Sequence, residues 1–262
     1  MFQLATQPQS IGKVLDSGLR LFTGSFAGVV GFAFIAAVLG VIPSVIAELV
    51  LAQLVTTETL GITTMVAVYV VFLLVSIALY GAILVRMGSF AAGNTMLFSQ
   101  AFAVGVRRIP RLLLVGVIYL LVISLGTVAL IIPGLLFGLT LYFAMPAALL
   151  DNETALDSLS RSHRLVWGNW WRTATVMSVP FVIYIVLYVG LFTVFGTMVA
   201  ISGEVTGNVS AMVVLYGGQV VITAIGLPLI YAVTITQYAD LKLRKEGTDL
   251  AARIDKVAAT RK

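Results

Sequence analysis

The chain has 262 residues, of which 60% are hydrophobic and only 10% charged, and its formal net charge is +5. A water-soluble domain carries about 25% charged residues, so this surface is too apolar for water and lipid is its solvent. Without cysteine there are no disulfides, thiolate metal sites, iron–sulfur clusters or cysteine nucleophiles, and one histidine, His163, argues against a histidine-held metal.

Residues 1–20 are mostly polar and lack the basic start and short apolar run of a secretory signal, so they are expected to stay attached. A membrane-crossing helix needs about 20 apolar residues. Six stretches qualify: Phe22–Leu51, Ile62–Val85, Leu112–Ile132, Gly134–Leu150, Thr173–Ile201 and Ala211–Tyr238. The first, fifth and sixth are longer than needed, so they are expected to tilt or to kink near Pro43, Pro180 and Pro228. Pro133-Gly134 predicts a tight turn between the third and fourth.

The charges set the orientation. With the N-terminus inside, all 16 lysines and arginines fall on the inner side, while the outer loops carry Glu58 and Glu204. This satisfies the positive-inside rule and predicts cytoplasmic N- and C-termini. Spread over short segments beside apolar spans, the basic residues are topology determinants, and no nucleic-acid partner is expected. One integral membrane domain, residues 1–245, is followed by a basic tail, 246–262, which reads either as a surface helix or as unordered chain.

Three segments that precede the hairpins look alike. Ile11, Val14, Leu15, Gly18, Leu19 and Phe22 share one helical face; Phe98, Ala101, Phe102, Gly105 and Ile109 share another; Leu156, Leu159, Val166 and Trp167 a third. Apolar residues at this spacing opposite basic ones suit helices in a membrane interface. Thr154 with Asp157 resembles a capping box, and Gly168 suits a helix end. Arg20-Leu21-Phe22-Thr23-Gly24-Ser25-Phe26 aligns with Arg164-Leu165-Val166-Trp167-Gly168-Asn169-Trp170. The expected fold is therefore all-α and polytopic: six transmembrane helices in three hairpins, each preceded by a cytoplasmic amphipathic helix, in units of about 10–92, 94–150 and 154–240. Units of one orientation imply a pseudo-threefold axis along the membrane normal.

Ionisable groups deep in a bilayer are costly and mark function. None lies at a midplane position. Glu48 comes nearest, late in the first span, where an outer-interface carboxylate is the simpler reading. Asp240 is read as a local partner of Lys242 and Arg244, and Arg86 as snorkelling from the end of the second span. Gln219 is an amide inside a span, either a helix-packing group or the lining of a cavity with Tyr80, Tyr184, Tyr216 and Thr223. The densest polar-aromatic cluster is Arg161, His163, Arg164, Trp167, Trp170, Trp171 and Arg172. It reads either as an ordinary aromatic belt or as a lipid-headgroup surface, because arginine pairs with phosphate and tryptophan prefers the interface. No catalytic set, cofactor motif or metal motif appears.

The stretch from Pro133-Gly134 through Leu150-Asp151, Ala155-Leu156 and Ser162 to Arg164-Leu165-Val166, Gly168-Asn169-Trp170-Trp171 and Arg172 resembles the YciC-like bacterial inner-membrane proteins. It also resembles the membrane domain fused to some bacterial glycerophosphodiester phosphodiesterases, whose catalytic barrel has no room in this chain. The resemblance implies a bacterial inner-membrane location and a role in envelope or lipid homeostasis. Two functions from different classes stand. One is a non-enzymatic envelope or scaffold protein, with a protein partner or a second copy. The other is a conduit for lipid or another hydrophobic small molecule, with membrane lipids as partners. An axial cavity lined by tyrosines favours the second, a packed centre the first.

Overall fold

The computed structural model describes residues 4–54, 58–203 and 209–259; within these, the side chains of 47–62, 65, 209 and 248–259 are excluded. The side chains of Glu48 and Glu58, and all of Glu204, lie outside the described set. The described chain is all-helical: α1 Ile11–Leu54, α2 Glu58–Ala91, α3 Phe98–Arg107, α4 Ile109–Ala129, α5 Ile131–Thr140, α6 Ala144–Leu150, α7 Ala155–Val166, α8 Trp170–Ser202 and α9 Val209–Ala259. Six stretches are long and apolar enough to cross a membrane. The side chains turned outward are as apolar as those inside: Val128 is 87% exposed and Ile132 71%. Such a surface fits lipid, where only structures with internally satisfied backbones persist. The chain is a multi-pass helical membrane protein.

Several sequence expectations shift. The amphipathic segment before the first span is no separate helix. It runs unbroken into α1, and Gly24, aligned with Gly168, stays helical. Gly168 instead adopts φ +85° and turns the chain from α7 into α8, a conformation glycine takes without strain. The turn between the third and fourth spans is one residue, Leu130, in extended conformation. Pro133 falls just past it in the first turn of α5, where its missing N–H costs nothing. Gly134 is needed for contact: a Cβ there would stand 2.8 Å from the Thr127 backbone nitrogen. Finally, the sixth span continues as helix through Ala259, so the backbone of the tail is helical that far.

The fourth span is not one helix. It breaks at Leu141–Phe143 between α5 and α6. Pro146 is the local cause, since proline cannot donate to the carbonyl four residues back and its ring crowds that carbonyl. The break is closed from α7: the Phe143 N–H donates to Ser162 Oγ (3.0 Å), and Ser162 Oγ donates to the Thr140 carbonyl (2.7 Å).

Ser162 also reveals the architecture, because the alignment places it opposite Gly18. Each amphipathic segment presents one small buried residue to the second apolar segment of the preceding hairpin. Gly18 meets Val233 of α9, where a Cβ would stand 2.9 Å from the valine side chain; Gly105 meets the Ala78 carbonyl of α2; Ser162 meets the α5–α6 break. The matched leucines, Leu21 and Leu165, are both buried. The pattern is cyclic, with the first unit docking on the last. Small residues permit such close backbone approach in a membrane, where helices gain little from hydrophobic sequestration and associate largely through packing.

Candidate functional site

The second segments of the three hairpins, α2, α5–α6 and α9, line the centre, and the centre is hollow. A cavity of about 230 Å³ is bounded by Tyr80 and Gly81 of α2, Leu112 of α4, Tyr142 in the break, Leu149 of α6, and Tyr231 and Thr234 of α9. Its walls are apolar except for hydroxyls, and the Tyr142 and Thr234 hydroxyls lie 3.2 Å apart. A second cavity of about 430 Å³ follows toward the end of the bundle where Leu4 and Lys242 lie. Val85 succeeds Leu84 on α2, Ile235 succeeds Thr234 on α9, and Leu149 borders both spaces. Here the lining becomes charged, with Arg108, Asp151 and Lys242 beside Tyr238. Together the volumes fall within the roughly 300–1,000 Å³ typical of small-molecule sites.

The charged wall is built on the end of α6. The carbonyls of Ala148 and Leu149 accept from Arg108, and Arg111 donates to Asn152 Oδ1 at 2.9 Å. Cations at a helix C-terminus satisfy its orphan carbonyls and oppose the negative end of its dipole. Burial, and then the charge of Arg111, lower the pKa of Arg108. Asp151 accepts from the Tyr238 hydroxyl (2.6 Å) and from Lys242 Nζ (3.0 and 3.1 Å), and lies 3.4 Å from Arg161. Arg161 also pairs with Glu153 at 2.6 Å and with Glu246 of α9. Burial alone would lower the Arg161 pKa; Tyr238 and the surrounding carboxylates of Glu153, Glu246 and Asp151 raise it instead.

The sequence-derived residues divide. Arg161 and Arg172 are spent inside the protein. Arg172 and Arg244 both pair with Asp240, which is 3% exposed and also accepts from the Gln9 N–H at 2.7 Å. Asp240 thus has Arg172 and Arg244 as partners, and Lys242 turns to Asp151 instead. Arg164, Trp167 and Trp171 are exposed, and Trp171 stacks on Trp170 with centroids 4.3 Å apart. Of the intramembrane candidates, Tyr80 reaches the axial cavity. Tyr184 forms a separate hydroxyl cluster with Tyr188 and Thr223 at 2.8–3.3 Å. Tyr216 and Gln219 are half-buried on α9 and line neither cavity. Arg86 lies with its guanidinium 5.5 Å from the Phe32 ring centroid, a cation–π contact.

Sequence reasoning missed Tyr142, Tyr231, Thr234 and Ser162. It also missed Gln237, a fully buried amide at the end of the sixth span whose Nε2 donates to Thr173 at 3.4 Å. Pro146 was the one readable signal, because it marks where the fourth span must break and so expose Tyr142. Among the described residues no group of three or more His, Asp or Glu side chains is placed to hold a metal. No family model matches the chain, and no solved structure matches it.

Proposed function

We propose that this protein is a non-enzymatic bacterial inner-membrane protein that binds an amphipathic, lipid-like molecule along its axis, with both termini in the cytoplasm. The observation that carries this reading is the succession of two cavities, the inner one apolar and hydroxyl-lined, the outer one charged. An apolar chain suits the first. An anionic headgroup suits the second, where Arg108 and Lys242 carry donors beyond those bound to Leu149 and Asp151. The side chains already hydrogen-bond one another, which favours binding over chemistry. The inner-membrane location and a role in envelope or lipid homeostasis rest on the resemblance to YciC-like proteins, and the cytoplasmic termini on the one-sided distribution of basic residues.

Native mass spectrometry of the purified protein tests the proposal. One anionic lipid in fixed ratio, retained by the parent and lost in Leu149→Trp, is expected, because Leu149 borders both cavities. Equal retention by the two proteins would overturn it. Orientation is tested on the cysteine-free background: single cysteines beside Glu58 and Glu204 should react with an impermeant reagent from outside, and one beside Arg164 should not. The reverse pattern would reject the assigned topology.

A further inference from the structure

The axial cavity has a neighbour that opens onto the bilayer. Between the α4–α5 hairpin and α8 lies an apolar groove of about 880 Å³, lined by Ile123, Leu135, Trp170, Ala174, Met177 and Phe181. Its surroundings are lipid-facing helix surfaces, with Leu135 69% exposed on one bank and Val182 55% on the other. One residue borders both the groove and the axial cavity, and that residue is Tyr142. It stands in the break of the fourth span, where the backbone has left the helical ladder. Its ring packs edge-on against Phe181 on the groove side, with centroids 5.9 Å apart. Its hydroxyl meets Thr234 on the cavity side at 3.2 Å.

We infer that the groove is a binding site for the acyl chain of a bilayer phospholipid, and that Tyr142 is the door through which such a chain passes sideways into the axial cavity. The inference rests on the axial-site reading and adds both the ligand class and its route. The occupant follows from placement: the groove is apolar and faces the hydrocarbon, so bilayer chains are the solvent that reaches it. Trp170, at one end of the groove and stacked on Trp171, supplies the aromatic surface that favours the headgroup level.

The test uses the full chain in vesicles containing phosphatidylglycerol with a photoreactive diazirine in one acyl chain, and crosslinks are mapped by mass spectrometry. Crosslinks at Ile123, Leu135 and Met177 should exceed those at Ile185 and Val186, which face lipid on α8 outside the groove. Ala174→Trp, which narrows the groove, should lower these crosslinks together with those at Leu112 and Met145 in the axial cavity. Tyr142→Phe keeps the ring but frees it from Thr234, and should raise the axial crosslinks about fivefold, the shift expected from losing one ordinary hydrogen bond. Groove labelling no higher than at Ile185 and Val186 would overturn the acyl-chain site. Axial labelling unchanged by Ala174→Trp would overturn the sideways route while leaving the axial site standing. Axial labelling absent from every variant would overturn both.

Discussion

The seam between α1 and α9 and the seam between the α4–α5 hairpin and α8 join neighbouring units of one plan, yet one is shut and the other open. In the first, Gly18 lets α9 approach until a methyl group would collide with Val233, and the buried Asp240 locks the end with two guanidiniums and a backbone N–H. In the second, large side chains stand apart around about 880 Å³ of space. The closed seam is fixed by small residues and a saturated charge. The open one is left for the solvent of the bilayer to fill. A membrane protein gains little from squeezing out apolar solvent, so a seam closes only where packing or polar contacts hold it.

The contrast can be broken in graded steps. The largest effect is expected from Asp240→Ala. It takes the shared carboxylate from two partly buried arginines, and losing one partner of a buried ion network costs about 3–5 kcal/mol. Thermal unfolding in detergent should show a collapse of the folded fraction, whereas Asp16→Ala, in an exposed pair with Arg20, should hardly register. Next is Ser162→Ala, which leaves the Phe143 N–H and the Thr140 carbonyl unpaired at about 1–3 kcal/mol. The same scans should show that loss, and Ser162→Thr should restore part of it. Gly18→Leu overpacks the closed seam by about 1–3 kcal/mol. Ala174→Trp in the open seam should cost less than about 0.5 kcal/mol by the same scan, because space is already there. An equal penalty at the two positions would remove the distinction. A separate effect is on binding: Arg164→Gln removes one exposed charge and should weaken attachment to anionic vesicles by about 1 kcal/mol in a flotation assay.

The all-α class and the six apolar stretches were legible because apolar length is a direct consequence of bilayer thickness, and the structure adds their ends and the break in the fourth. The small residues at matched positions, Gly18, Gly105 and Ser162, were visible as letters but not as contacts, since the second partner of each lies in another unit. The break in the fourth span was signalled by Pro146 and overlooked because Pro133-Gly134 offered a stronger turn. The site was harder. Tyr80 was readable as an intramembrane hydroxyl, but Tyr142, Tyr231 and Thr234 become one wall only after three hairpins are arranged around an axis. Asp240 was paired with its sequence neighbours, and Arg244 does bind it, but Lys242 does not, and Arg172, 68 positions away, supplies the second contact. Local spacing finds a partner one helical turn away and is blind to one across the bundle.

That the first helix rests against the last has a consequence for biosynthesis. Gln9 meets Asp240 across 231 residues of sequence, so nearly the whole chain must leave the ribosome before α1 finds its neighbour. Until then α1 waits with Gly18 and the rest of the face meant for α9 uncovered. The α5 segment has a related handicap, since ten residues reach only about 15 Å, half the hydrocarbon thickness of about 30 Å. It must therefore enter the bilayer as the returning arm of α4. A chain stopped before Val209 would carry every element of the first two units and still lack the surface on which its own beginning is meant to settle.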